Sequence, residues 1–139
     1  MLLLLASCSR AETYNVTLAS YNYTDRPISW YLVDDTGGGN VFGSSRSGGG
    51  KWACCARVTV GAPVHIHWRL SYTEKQYEEG VRPEEHNLTV VVPKPDGSES
   101  PRYMEVHFYA ENRVQLRLVS WPGNARWPAG TDMSKLDDY

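Results

Sequence analysis

Apolar residues recur at every second position in run after run of this chain, and each run stops at a turn signal. That period belongs to strands, whose successive side chains point to opposite faces, and not to helices. Tyr14, Val16 and Leu18 share one face of the first run, and Ile28, Trp30 and Leu32 one face of the second, with residues 22–27 as the turn between them. From Ala53 to Val60 the inward set reads Cys54, Ala56, Val58 and Val60, stopped by Gly61, Ala62 and Pro63, after which Val64 to Leu70 alternates without a break. Leu88, Val90 and Val92 form a further strand closed by Pro93. Met104, Val106 and Phe108 face one way and Glu105, His107 and Tyr109 the other, and Val114, Leu116 and Leu118 complete the set. The last two runs meet across residues 110–113, a loop of hairpin length. Five Trp and nine Tyr add the aromatic weight that suits strands. The pattern predicts an all-β fold: a single-domain antiparallel β-sandwich or open barrel of about seven strands, with a long Gly-rich loop and at most one short helix.

Three segments fall outside the alternation, and on a rigid β scaffold such segments carry function. Residues 36–50 are rich in Gly and Ser, with Val41 and Phe42 as the only core-forming side chains. The run Gly48, Gly49, Gly50, Lys51 lacks the Ser or Thr, the full spacing and the following helix that a phosphate cradle needs, so this stretch reads as an interaction loop or a connector. Residues 73–85 hold Glu74, Glu78, Glu79, Glu84 and Glu85 against Lys75 and Arg82. They predict a short helix capped by Thr73 and ended by Gly80, with an acidic patch that either solvates a connector or steers a basic partner. After Trp121, Pro122, Gly123, Pro128 and Gly130 prevent regular structure, and Trp121 and Trp127 are expected to pack back on the sandwich.

The N-terminus carries a separate signal. Leu5, Ala6, Ser7 and Cys8 have the order of a lipobox: an apolar residue, two small ones, then a thiol that takes a diacylglycerol. Residues 1–7 are therefore expected to be a lipoprotein signal peptide, truncated relative to a normal leader because no basic residue precedes Cys8, with 8–13 a lipidated linker, 14–128 the β domain and 129–139 a flexible tail. Export to an oxidising compartment favours pairing of Cys54 with Cys55. Neighbouring strand residues point to opposite faces, however, so the pair is either a vicinal disulfide at a turn or bulge, a buried Cys54 beside a free Cys55, or an intermolecular partner.

Catalytic chemistry has no visible machinery. His65 and His67 lie two apart on one outward face and could act with His107 as a metal site, but no metal-binding motif accompanies them. The serines at 44, 45 and 47 lack the strand-turn-helix setting of a nucleophile elbow. No catalytic residue, metal or cofactor is assigned. A formal net charge of −2 argues against a nucleic-acid partner. The sequons at Asn15, Asn22 and Asn87 read as incidental beside the lipobox.

The order of Gly-rich loop, Cys54 and Cys55, Gly61, the strand Val64 to Trp68, the strand end Val91, Val92, Pro93 and the run Glu105, Val106, His107, Phe108 resembles a family of small bacterial lipoproteins classed as a domain of unknown function. The resemblance covers roughly residues 14–128 and extends to immunity proteins encoded beside phospholipase effectors of the type VI secretion system. It implies a periplasmic protein, anchored through a lipid on Cys8 and more in the outer than the inner membrane, that binds and silences a cognate phospholipase effector. Arg46 and Trp52 in the Gly-rich segment and the acidic Glu74, Glu78 and Glu79 are the partner-binding candidates. The competing reading is a cell-envelope carbohydrate- or ligand-binding β module without a toxin partner, using an open shelf of aromatic residues such as Tyr31 and Tyr109.

Overall fold

The computed structural model describes residues 10–41 and 50–135. Cys8, Arg46 and the leader lie outside them, as does most of the Gly-rich stretch. Eight strands are found among the described residues: β1 (Thr13–Asn22), β2 (Ile28–Val33), β3 (Thr36–Gly38), β4 (Ala53–Thr59), β5 (Pro63–Leu70), β6 (Glu84–Val91), β7 (Tyr103–Tyr109) and β8 (Arg113–Val119). One short helix, α1 (Glu74–Glu78), links β5 to β6. The strands form two four-stranded sheets, ordered β4-β1-β7-β8 and β3-β2-β5-β6. All neighbours are antiparallel except β1 and β7, which run parallel with Thr17 beside Tyr103 and Tyr21 beside His107. The architecture is the all-β sandwich that the alternation implies.

The space between the sheets is filled by Val16, Leu18, Ile28, Tyr31, Val33, Val58, Val64, Ile66, Trp68, Met104, Val106, Phe108 and Leu118 with their neighbours. The Phe108 ring centroid lies 5.4 Å from that of Tyr31 and 5.6 Å from that of Trp68, so three large rings from three strands meet at the centre. Rings at such separations add attraction beyond the area they bury.

Two strand faces differ from the expectation. In β2 the buried set is Ile28, Tyr31 and Val33, and Trp30 and Leu32 turn outward. The register against β5 shifts between Ile28 and Trp30, and one extra residue in a ladder exchanges the faces of everything beyond it. In β4, Cys54 is exposed beside an exposed Cys55, while Ala56 and Val58 are buried as expected. The two cysteines are joined to each other across a cis peptide bond, next to a register shift at Val16 and Leu18 of β1. The Gly-rich segment contributes a strand of its own: β3 pairs with β2, and Val41 bridges Ile28 and is fully buried.

Local signals account for the connections. Thr73 caps α1 by accepting from the Gln76 amide at 3.2 Å, and the Gln76 side chain accepts from the Thr73 amide at 2.9 Å, the reciprocal arrangement of a capping box. Glu111 and Asn112 turn the β7–β8 hairpin at φ 64° and 56°, two left-handed positions in the three-residue loop between the paired Tyr109 and Arg113.

Candidate partner-binding surface

The outward face of the β4-β1-β7-β8 sheet divides into a covered half and an open half. In the covered half, Ala19, Tyr21 and Tyr23 of the first strand region pack with Tyr109, Ala125 and Trp127. The chain after β8 lies across them as a strap. The rings of Tyr21 and His107 stack at 4.6 Å and those of Tyr23 and Tyr109 at 4.5 Å, with Trp127 edge-on to Tyr23 at 4.8 Å. Beneath the strap, Glu105 and His107 are fully buried.

These polar groups are satisfied by one another and by the strap backbone. Tyr23 Oη lies 2.7 Å from His107 Nδ1 and accepts from the Arg126 amide at 2.5 Å. His107 Nε2 lies 3.3 Å from Glu105 Oε1, and Glu105 Oε2 accepts from the Gly123 amide at 2.9 Å. The Tyr21 hydroxyl donates to the Gly123 carbonyl at 2.7 Å. Burial by itself would raise the Glu105 carboxyl, but the hydrogen bonds from His107 and the Gly123 amide outweigh it and hold the group below the usual glutamate value. Burial, then the negative charge of Glu105, pushes Tyr21 up to about 12. Burial raises Tyr23 as well. A carboxylate, an imidazole and a phenol in hydrogen-bonded sequence resemble a catalytic relay in composition, but Glu105 and His107 have no exposed surface and Tyr23 very little. Their work is to fasten the strap.

The open half is aromatic. Trp52, directly before β4, is 52% exposed, and Trp121, two residues past the end of β8, is 67% exposed. Both indoles meet Tyr103 edge-on, at 5.0 and 5.5 Å, and each other at 5.7 Å. The three come from separate parts of the chain and are brought together because β1 alone separates β4 from β7 and Val119 sits opposite Tyr103. An open cleft lined by Glu99, Ser100, Arg102, Ser120 and Trp121 adjoins them. A cluster of exposed rings beside charged and hydroxyl groups is the composition of an interface anchor with a polar rim.

The remaining sequence candidates fall elsewhere. Glu74 and Glu78 on α1 and Glu79 at its end are exposed, with Glu84 and Glu85 following at the start of β6, so the acidic patch belongs to the other sheet and is not joined to Trp52. Arg82, in the same segment, is turned back on the Tyr77 ring at 4.3 Å and on the Tyr77 and Val81 carbonyls. Hydrogen bonds from His86 and Arg26 hold the Glu84 carboxyl below its usual value, so it stays negative. Trp121, expected to pack back on the sandwich, instead stands in the open aromatic cluster; only Trp127 packs in the strap. Tyr31 is fully buried and Tyr109 lies under the strap, so the two cannot form a shelf.

His65 and His67 lie on the outward face of the second sheet, bonded to Asn87 at 2.8 Å and Glu85 at 3.3 Å, whereas His107 is buried in the first sheet. The three do not converge. Among the described residues no group of three or more His, Cys, Asp and Glu is placed to hold a metal ion, and no helix is long and apolar enough to cross a membrane. Tyr103 was not singled out from the sequence: it extends the alternation of Glu105, His107 and Tyr109 by one step, but its meeting with Trp52 and Trp121 depends on the strand order.

A family model described as a protein of unknown function, DUF3304, matches residues 21–116. No curated protein and no solved structure matches the chain.

Proposed function

The chain belongs to the DUF3304 family of proteins of unknown function, and from that premise we propose that it is a periplasmic immunity lipoprotein that binds a type VI secretion phospholipase effector and blocks it. The observation that carries this reading is the exposed cluster of Trp52, Tyr103 and Trp121 on a sheet whose outward face is partly covered by the strap. Silencing an enzyme by occlusion requires no catalytic group. It requires a preformed anchor of large rings that keeps its shape on binding, and rings held edge-to-face against one another lose little freedom when a partner covers them. In this mechanism the two indoles enter the apolar mouth through which the lipase takes its lipid, and the acidic Glu74, Glu78 and Glu79 segment draws in a basic partner at long range. A lipid on Cys8 would hold the inhibitor at the membrane surface that the enzyme attacks.

The test is to co-express the full chain with the phospholipase encoded beside its gene, purify whatever complex forms, and assay phospholipid hydrolysis on vesicles. A stoichiometric complex without hydrolytic activity supports the proposal. Capture of no lipase, or of one that remains fully active, contradicts it.

A further inference from the structure

Strand edges present unpaired amides and carbonyls, and natural sandwiches blunt them with short strands, bulges, prolines, charges or covering loops. Three of the four edges here are managed. β3 has three residues. β4 carries the bonded Cys54–Cys55 pair beside a register shift. The β8 edge is covered where Pro95 bridges Leu118 and the Asp96 amide donates to the Leu118 carbonyl at 2.8 Å, with Arg117 paired to Asp96.

The fourth edge, β6, is different. Its eight residues contain no Gly or Pro and pair with β5 without a register shift. The bonding parity follows from the neighbours. The His65 carbonyl accepts from the Asp34 amide on the β2 side, and the Val92 amide donates to the Ala62 carbonyl. Even-numbered residues of β6 are thus turned to β5, and Glu85, Asn87, Thr89 and Val91 direct their backbone groups away from the sheet. Those four are exposed, Val91 at 59%, as is Glu84 at the start of the strand, while His86, Leu88 and Val90 on the inward face are only half-buried. Among the described residues nothing pairs with this side of β6.

We propose that β6 is the self-association edge of the protein, on which a second copy of this chain pairs antiparallel about a two-fold axis at Leu88. The occupant follows from the self-complementarity of the edge. Glu84 and Glu85 lie at one end and Val90 and Val91 at the other, so an antiparallel copy sets acidic against apolar residues and no carboxylate faces its like. With Leu88 opposite Leu88 of the second copy, Asn87 and Thr89 exchange backbone bonds, as do Glu85 and Val91, and every outward group from 85 to 91 is used. Directly opposite residues of an antiparallel pair share a face. His86 and Val90 therefore meet beside the two leucines, and the half-open inner seam is covered from both sides. Strand pairing alone makes a small interface, so the dimer is concentration-dependent. It leaves the aromatic cluster of each copy free, because that cluster lies on the other sheet, and the inference is independent of what the cluster binds.

Sedimentation velocity of the full chain across a range of concentrations, together with two variants, tests this. The expected result is a dimer fraction that rises with concentration and a Thr89→Pro chain that stays folded, since an edge strand tolerates proline, but associates about 30-fold more weakly. Under mild oxidation, Leu88→Cys is expected to cross-link two chains beyond the level of the parent, because residues opposite each other in a non-hydrogen-bonded pair are close enough for a disulfide. Thr89→Cys, which faces Asn87 of the other copy, is expected to remain at the parent level. The cross-link reads the register without depending on how the proline variant folds. A chain that is monomeric at every concentration and gains no cross-link from Leu88→Cys overturns the proposal, as does a dimer unchanged in a folded Thr89→Pro chain. A monomer in which Thr89→Pro abolishes binding of a different protein also overturns it, and assigns the edge to a foreign strand.

Discussion

Tyr23 joins two parts of the chain that lie far apart in sequence: its hydroxyl accepts from the Arg126 amide and reaches His107, which in turn reaches Glu105. A buried carboxylate in such a chain makes stability depend on pH, and the sign follows from its environment. Glu105 in the folded chain ionises below the usual glutamate value. Its contribution is therefore fully present above that value and is lost as pH falls through the lower folded value. Glu105→Gln removes this source of acid sensitivity. The variant is expected to be less stable than the parent at neutral pH, because the Gly123 amide and His107 lose an ionised acceptor, with the gap in urea midpoint narrowing as the pH drops below about 4. Parallel denaturation curves at neutral and acid pH check it; a gap that stays constant or widens contradicts the assignment. The sequence made the outward direction of Glu105 and His107 legible, since they alternate with Met104, Val106 and Phe108. It could not make their burial legible. Alternation gives the face of a side chain, whereas the cover comes from a strap whose glycines and prolines carry no period.

Elements with a local chemical cause were readable, and those set by one extra residue were not. The Thr73 cap, the helix that stops before Gly80 and the β7–β8 hairpin each follow from residues within a few positions of one another. The hairpin makes a testable case. Asn112 sits at φ 56°, where its short polar side chain tolerates a left-handed backbone and a β-branched one does not. Asn112→Val is expected to lower stability by about 1–2 kcal/mol, whereas Asn112→Gly is expected to remain close to the parent, and paired thermal melts distinguish the two. In β2 the same logic failed at a bulge. Nothing in Ile28 to Val33 announces that the register slips after Ile28, and the slip exchanged Trp30 and Leu32 for Tyr31 and Val33 in the core. The carbohydrate shelf was placed on Tyr31 as an outward residue, and the slip removes Tyr31 from any such surface.

At the scale of the whole molecule the sandwich separates its surfaces. One sheet keeps the strap and the aromatic cluster on its outer face, and the other carries the acidic connector, the histidines and the bare edge of β6. Trp52 was legible as a large apolar residue beside a glycine run, and Glu74, Glu78 and Glu79 as an acidic run, but only the strand order shows that they belong to different sheets. The indoles, not the glutamates, therefore carry the expected binding energy. The most direct measurement is the inhibition of the proposed phospholipase partner, titrated on vesicles with the parent chain and with a Trp52→Ala, Trp121→Ala double variant of unchanged fold. Truncating an anchor ring commonly costs about 2 kcal/mol or more, so the account predicts inhibition by the parent and at least about a 30-fold weaker effect from the double variant. Equal inhibition by both chains, or none by the parent, would contradict it.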